Sequence, residues 1–157
     1  MTDPGACDGD RGVDLDRLTE ELVGLELPTG SWRVPAHEAW LTADALGSPA
    51  LPEGLLHPMY VWYSGVRGTG YGIDHLFELV RCPPEDGPML GETELTQHRP
   101  LRIGEELTVT SRILDLERKH GRSGTFDLMR VHLEVRDDSE ELVGTVTNTF
   151  VYPRRAA

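Results

Sequence analysis

Two cysteines in 157 residues, Cys7 and Cys82, are too few and too far apart for a disulfide framework or a thiolate metal site. They read as free thiols in a reducing compartment. No run approaches the roughly 20 consecutive apolar residues that a membrane-crossing helix needs. Basic residues are scarce as well: 15 Lys and Arg face 27 Asp and Glu, for a net charge of -12. That balance argues against nucleic acid, whose phosphates must meet clustered cations, and against an anionic membrane surface. The opening MTDPGACDGDRG has neither the basic start nor the apolar stretch of a secretory leader, so a cytoplasmic location is expected. Metal-ligand spacing is missing too: His37, His98, His120 and His132 share none, and no metal is expected.

What is present divides in two. Residues 1–12, rich in Asp and Gly, read as a disordered acidic tail, and residues 13–157 as one domain. Leu15, Leu18, Leu22 and Leu25 recur at helical spacing, with Asp14 or Asp16 as the cap and Gly24 or Pro28 as the stop. Trp32–Val34 reads as a short strand, and Pro35–Leu46 as a helix with Ala36, Trp40, Ala43 and Ala45 as its apolar contacts. LLHPMYVWYSGV suggests a buried helix over His57–Gly65, and Ile73–Val80 a further turn or two. From residue 89 the chain changes character. Glu92–His98, Glu105–Leu116, Thr125–Val135 and Leu142–Tyr152 are rich in Thr, Val, Ile and Leu, alternate with period two and are separated by turn residues. The adjacent Ile113 and Leu114 break that alternation, as a bulge or a doubly buried strand would. Helices followed by antiparallel strands predict an α+β fold, a curved sheet wrapped around a central helix.

The segment GETELTQHRPLRIGEELTVTSRILDLERKHGRSGTFDLMRVHLEV, together with the closing VGTVTNTFVYPR, resembles the MaoC-like dehydratases. More narrowly, it is similar to the N-terminal, non-catalytic half of their double-hotdog enzymes. The resemblance implies a single hotdog domain that must pair with a second one, because the acyl thioester site forms between two. It implies hydration of a trans-2-enoyl thioester or the reverse dehydration, with a coenzyme A thioester as substrate and no other cofactor. Such subunits occur in pairs in fatty-acid, mycolic-acid and steroid side-chain pathways. The expected partner is a catalytic hotdog subunit, in a heterodimer or heterotetramer.

The chemistry needs a base for water, an acid for the α-carbon and donors for the enolate oxygen. Catalytic members of the family carry an Asp and, five positions on, a His in a GDxNPxH-like loop. Here the loop is GSPALPE, which puts Ser48 at the Asp position and Glu53 at the His position. Serine has no useful proton affinity near neutral pH, so no catalytic residue is expected on this chain. Glu53 and His57 remain as candidates for a self-sufficient homodimeric hydratase or thioesterase, and a non-catalytic acyl-CoA-binding module is a third reading. Asp74 and His75 are adjacent, so in a helix they diverge by about 100° and form no dyad. Met59, Trp62 and Tyr63 read first as core, and the resemblance adds an acyl tunnel that they would line. Gly65, Gly68, Gly70 and Gly72 do not make a dinucleotide fingerprint. They permit tight turns, or backbone N–H groups offered to a thioester carbonyl or phosphate, with Gly70 the candidate. Arg99, Arg102, Arg118, Lys119, Arg122 and Arg130 include candidates for a coenzyme A phosphate.

Overall fold

The structure, a computed structural model, describes residues 13–49, 51–122 and 124–154. The expected acidic tail over 1–12, with Cys7, lies outside the described residues. Helix α1 is Leu15–Leu22, and Asp14 is its cap: the carboxylate accepts the backbone N–H of Asp16 at 3.0 Å and of Arg17 at 3.3 Å. Gly24, in the left-handed region at φ 85°, turns the chain away, so Leu25 falls beyond the helix.

Strand β1 runs Glu26–Arg33, well beyond the short strand expected at Trp32–Val34. Pro28 hid it, since proline cannot donate to a ladder. The structure accommodates Pro28 in a bulge on an edge strand. Leu27 faces Ser111 and Gly30 faces Val109, so Pro28 and Thr29 together oppose only Thr110 of the neighbouring strand. The freed Pro28 carbonyl accepts the N–H of Gly70 at 3.1 Å.

Helix α2 spans Ala36–Ala45 and buries no residue fully. Of its expected contacts, Trp40 is 66% exposed, and it is Ala39 that packs against the core. Helix α3 is Tyr60–Arg67, starting three residues later than expected. His57 precedes Pro58, whose ring disfavours helical backbone at the residue before it. Residues 57–59 therefore form a turn, closed by Tyr60 N–H to the His57 carbonyl at 2.9 Å. Helix α4 is Ile73–Leu79, followed by a 3₁₀ turn at Pro84–Asp86.

The remaining strands, β2 (Met89–Gln97), β3 (Glu106–Gly121), β4 (Gly124–Asp137) and β5 (Leu142–Arg154), complete a five-stranded antiparallel sheet in the order β1-β3-β4-β5-β2. Leu114 is a bulge: Ile113 pairs with Val131 and Asp115 with Arg130, which leaves Leu114 unmatched. Inward-facing Leu107, Val109, Ile113, Met129, Val131, Leu133, Val135 and Val146 are all buried. Each stabilises the fold by about 1.5–3 kcal/mol through loss of water contact. Onto this floor α3 lays its Tyr60, Val61, Ser64 and Gly65 face. Gly144 lets it settle, because a Cβ there would stand 2.7 Å from Val61 Cγ1. A sheet curled around one helix is the hotdog arrangement.

The end of the sheet is tied by a buried charge cluster. Asp127 is fully buried and accepts from Arg118 Nε and Arg154 Nε, both at 2.7 Å. Arg154 also donates to the carbonyl of Val80 at 2.9 Å, and Arg118 to that of Val13 at 3.2 Å. One carboxylate thus links three strands to the end of α4 and the start of α1. At the other side of the sheet, β2 is an edge strand, with Met89, Leu90 and Leu95 exposed.

Candidate functional site

The loop that follows α2 closes over that helix to form an open cleft of about 620 Å³. Trp40, Ser48, Glu53, His57 and Ile103 are among its walls, so the structure brings the two weak catalytic candidates and the serine into one place. Their chemistry there is limited. Ser48 Oγ donates to the Pro49 carbonyl at 3.1 Å. His57 Nδ1 accepts the backbone N–H of Met59 at 3.2 Å, which caps the turn leading into α3. An accepting Nδ1 requires the neutral ring to carry its proton on Nε2, so the nitrogen left over is a donor and not a base. Among the described residues no hydrogen bond joins Glu53 to His57, and no group of three His, Cys, Asp or Glu stands ready for a metal.

The four expected substrate-binding residues lie away from this cleft. Met59 is 38% exposed at the start of α3. Trp62 and Tyr63 pack against the core, and their rings meet edge-on at 5.2 Å. The Trp62 Nε1 is buried with no hydrogen-bond partner among the described residues. Gly70 spends its N–H on Pro28, and a Cβ on it would meet the Thr29 carbonyl oxygen at 2.5 Å. Close approach to the β1 bulge explains why glycine is needed there, and that N–H is not free for a thioester. Several basic candidates for a coenzyme A phosphate are likewise committed within the chain. Arg99 pairs with Glu105 and Asp137, Arg118 with Asp127, Lys119 with Glu117, and Arg130 with Asp115.

Two further cavities flank a hydrogen bond that the sequence did not advertise. An apolar groove of about 120 Å³ runs between the α3–α4 segment and the inner face of β4 and β5. Val66, Tyr71, Ile73, Leu133, Asn148 and Phe150 help line it, and Val66 and Ile73 stand exposed at its mouth. A second, more polar pocket of about 220 Å³ lies beside the β1 bulge, against residues of β1, β3 and β4. Leu27 and Ser111 are its buried residues, and Glu26, Arg112, His132 and Glu134 its half-exposed or exposed ones. Tyr71 lines the groove, Ser111 lines the polar pocket, and their hydroxyls are 3.1 Å apart. Burial pushes the Tyr71 phenol up from its ordinary pKa, so it remains a neutral hydrogen-bonding group. One cue was available: the alternation Leu107, Val109, Ser111, Ile113 puts a polar residue on the inward phase of β3, where a buried polar group needs a partner.

A five-stranded antiparallel sheet curled around α3 defines a hotdog protein. Residues 46–146 match the family described as the FAS1-like dehydratase domain region, and the chain belongs to that family. No curated protein matches the sequence. Among solved structures, the fold is similar to a chain of the ChsH1-ChsH2 complex from Mycobacterium tuberculosis. The identity is 16% and the TM-score 0.64, over 91% of this chain and 90% of that one. It is also similar to a chain of the C-terminally truncated HadBC (3R-hydroxyacyl-ACP dehydratase) complex from the same organism, at 15% identity and TM-score 0.63, over 83% and 96%. A structure named MaoC-like dehydratase matches at 20% identity and TM-score 0.65, where 85% of this chain covers 43% of that one.

Proposed function

We propose that this chain is the acyl-chain-accommodating subunit of an (R)-specific enoyl-CoA hydratase, or 3-hydroxyacyl thioester dehydratase. Its partner is a second hotdog subunit that carries the Asp–His pair. The observation that carries this reading is the cleft after α2: Ser48 is bonded to the Pro49 carbonyl and His57 is held as a cap, and among the described residues no hydrogen bond joins His57 to a carboxylate of the cleft. Two of the similar solved structures are themselves complexes of two differently named subunits or of a named pair, which supports a partnered assembly. The β2 edge supports it too, since an edge strand with exposed Met89, Leu90 and Leu95 offers a place for another sheet. The coenzyme A thioester is the substrate, and its phosphates fall largely to the partner, given how many of this chain's arginines are already paired.

The test is hydration of a trans-2-enoyl-CoA by the chain alone and then by the chain co-expressed with a catalytic hotdog subunit. Turnover only in the co-expressed complex is expected; full activity from the lone chain refutes the reading. A second reading, a self-sufficient homodimer, draws on the fact that Glu53 and His57 share the cleft. It requires the lone chain to be active and Glu53→Gln or His57→Ala to abolish that activity.

A further inference from the structure

The inner face of β5 carries one residue that core packing does not explain. Val146, Asn148 and Tyr152 share the inward phase of the strand and all three are buried, Asn148 to 3% exposure. A carboxamide among apolar neighbours costs stability unless its hydrogen bonds are met. Half of that requirement is met. Asn148 is in register with Thr93 of β2, whose hydroxyl donates to Oδ1 at 2.8 Å. The other arm of the planar group, Nδ2 with its two protons, has no hydrogen-bond partner among the described residues. Asn148 lines the apolar groove beneath the α3–α4 segment, so a molecule in that groove is what this arm can bond.

The rest of the groove narrows the choice of occupant. No charged side chain lines it. Its two other polar side chains are committed: Thr69 donates to the Val66 and Tyr71 carbonyls at 3.1 and 2.9 Å, and the Tyr71 hydroxyl is bonded to Ser111 at 3.1 Å. A carboxylate would lose its hydration with no cation to replace it, and an ammonium would find a donor where it needs an acceptor. A hydroxyl would bring a proton of its own to be satisfied. A carbonyl oxygen needs donors alone, which is what Nδ2 offers. At about 120 Å³ the groove is smaller than the roughly 300–1,000 Å³ of a whole-ligand pocket, so it takes a segment of a larger molecule. We propose that Asn148 is a specificity-determining residue of the acyl-thioester site. The groove takes a distal segment of the acyl tail, Nδ2 donates to a carbonyl oxygen on that segment, and the preferred substrates are thioesters with a second, distal oxo group.

This inference rests on the acyl-thioester reading, and the experiment separates the two. The probes are N-acetylcysteamine thioesters, which carry no phosphate and so need no coenzyme A site on a partner. The isotope-labelled full chain is titrated by NMR with the straight-chain acyl series from butanoyl to decanoyl, and with the counterpart of each that bears a carbonyl next to the terminal methyl. The Asn148 side-chain amide signal, assigned through its backbone, is followed throughout. In wild type the oxo member of at least one chain length should bind about 2–10-fold tighter than its plain counterpart, one net hydrogen bond, and should move that signal. Asn148→Leu should bring the ratio to unity while the plain members bind as well as before or better. Ile73→Trp, at the exposed mouth of the groove, should weaken both series, and it tests the site even if Asn148→Leu does not fold. Equal binding of the two series at every length, a preference that survives Asn148→Leu, affinities unchanged in Ile73→Trp, or binding that leaves the Asn148 amide unmoved overturns the assignment and leaves the hydratase-subunit reading standing. Binding by neither series overturns it too, and turnover in the co-expressed complex decides separately whether the reading beneath it has failed.

Discussion

Replacing Asp127 by alanine should be among the most destabilising single changes in this protein. The carboxylate is fully buried and holds two guanidinium groups, Arg118 and Arg154, each through a 2.7 Å bond. Its removal takes from the buried Arg154 guanidinium the carboxylate it pairs with, and breaking a buried pair on one side costs about 3–5 kcal/mol. For a domain of this size that loss corresponds to a melting-temperature drop of about 6–20 °C. Thermal and urea unfolding followed by circular dichroism measure it. The informative control removes all the charge together: Asp127→Leu with Arg118→Met and Arg154→Met. That variant should recover most of the loss, because well-packed apolar replacements of buried ion pairs are often neutral or better. It will fall short by roughly the net worth of the bonds from Arg154 to the Val80 carbonyl and from Arg118 to the Val13 carbonyl, about 1 kcal/mol each. A loss of less than about 1 kcal/mol in Asp127→Ala, the value of a solvated surface pair, refutes the reasoning.

Gly70→Ala should destabilise by about 1–3 kcal/mol, as overpacking does, because the new methyl meets the Thr29 and Pro28 carbonyl oxygens at 2.5 and 2.8 Å; an unchanged urea midpoint would show that the bulge yields freely. Leu95→Lys, on the exposed edge strand, should weaken the proposed assembly with a second hotdog subunit while leaving the lone chain's unfolding free energy within about 0.5 kcal/mol of wild type, read by light scattering and calorimetry. Asp137, which accepts from Ser139 and pairs with Arg99, has its pKa lowered to about 2. A folded value below the unfolded carboxylate's means that its stabilisation is complete above about pH 4 and is lost as pH falls towards 2. The melting temperature of wild type should therefore fall more steeply over that window than that of Asp137→Asn, and parallel curves would contradict the assignment.

The strands of the second half were legible because their alternation is governed by one buried face, and the structure lengthens them without changing their order. The Leu114 bulge was visible for the same reason: two adjacent apolar residues break a period of two. What was not legible depends on tertiary partners. β1 was obscured by Pro28, whose tolerance there depends on an edge position and a bulge that only the neighbouring β3 defines. Trp40 reads as a core residue from hydropathy alone, yet it forms a wall of the open cleft. The Pro58 rule marks a helix boundary, but nothing local says that His57 will cap the turn with its own ring. At the site, the missing Asp–His pair could be read by counting along one loop, whereas the Tyr71–Ser111 bond joins residues 40 positions apart and required the fold.

The edge strand β2 also bears on how much of this protein a cell can safely make. Nine residues of extended backbone with one side of their ladder open, and with Met89, Leu90 and Leu95 uncovered, are a template for sticking to other copies. In the proposed two-subunit assembly, chains produced in excess of their mate would be drawn into aggregates or degraded, so balanced synthesis of the two subunits follows from this sheet's geometry.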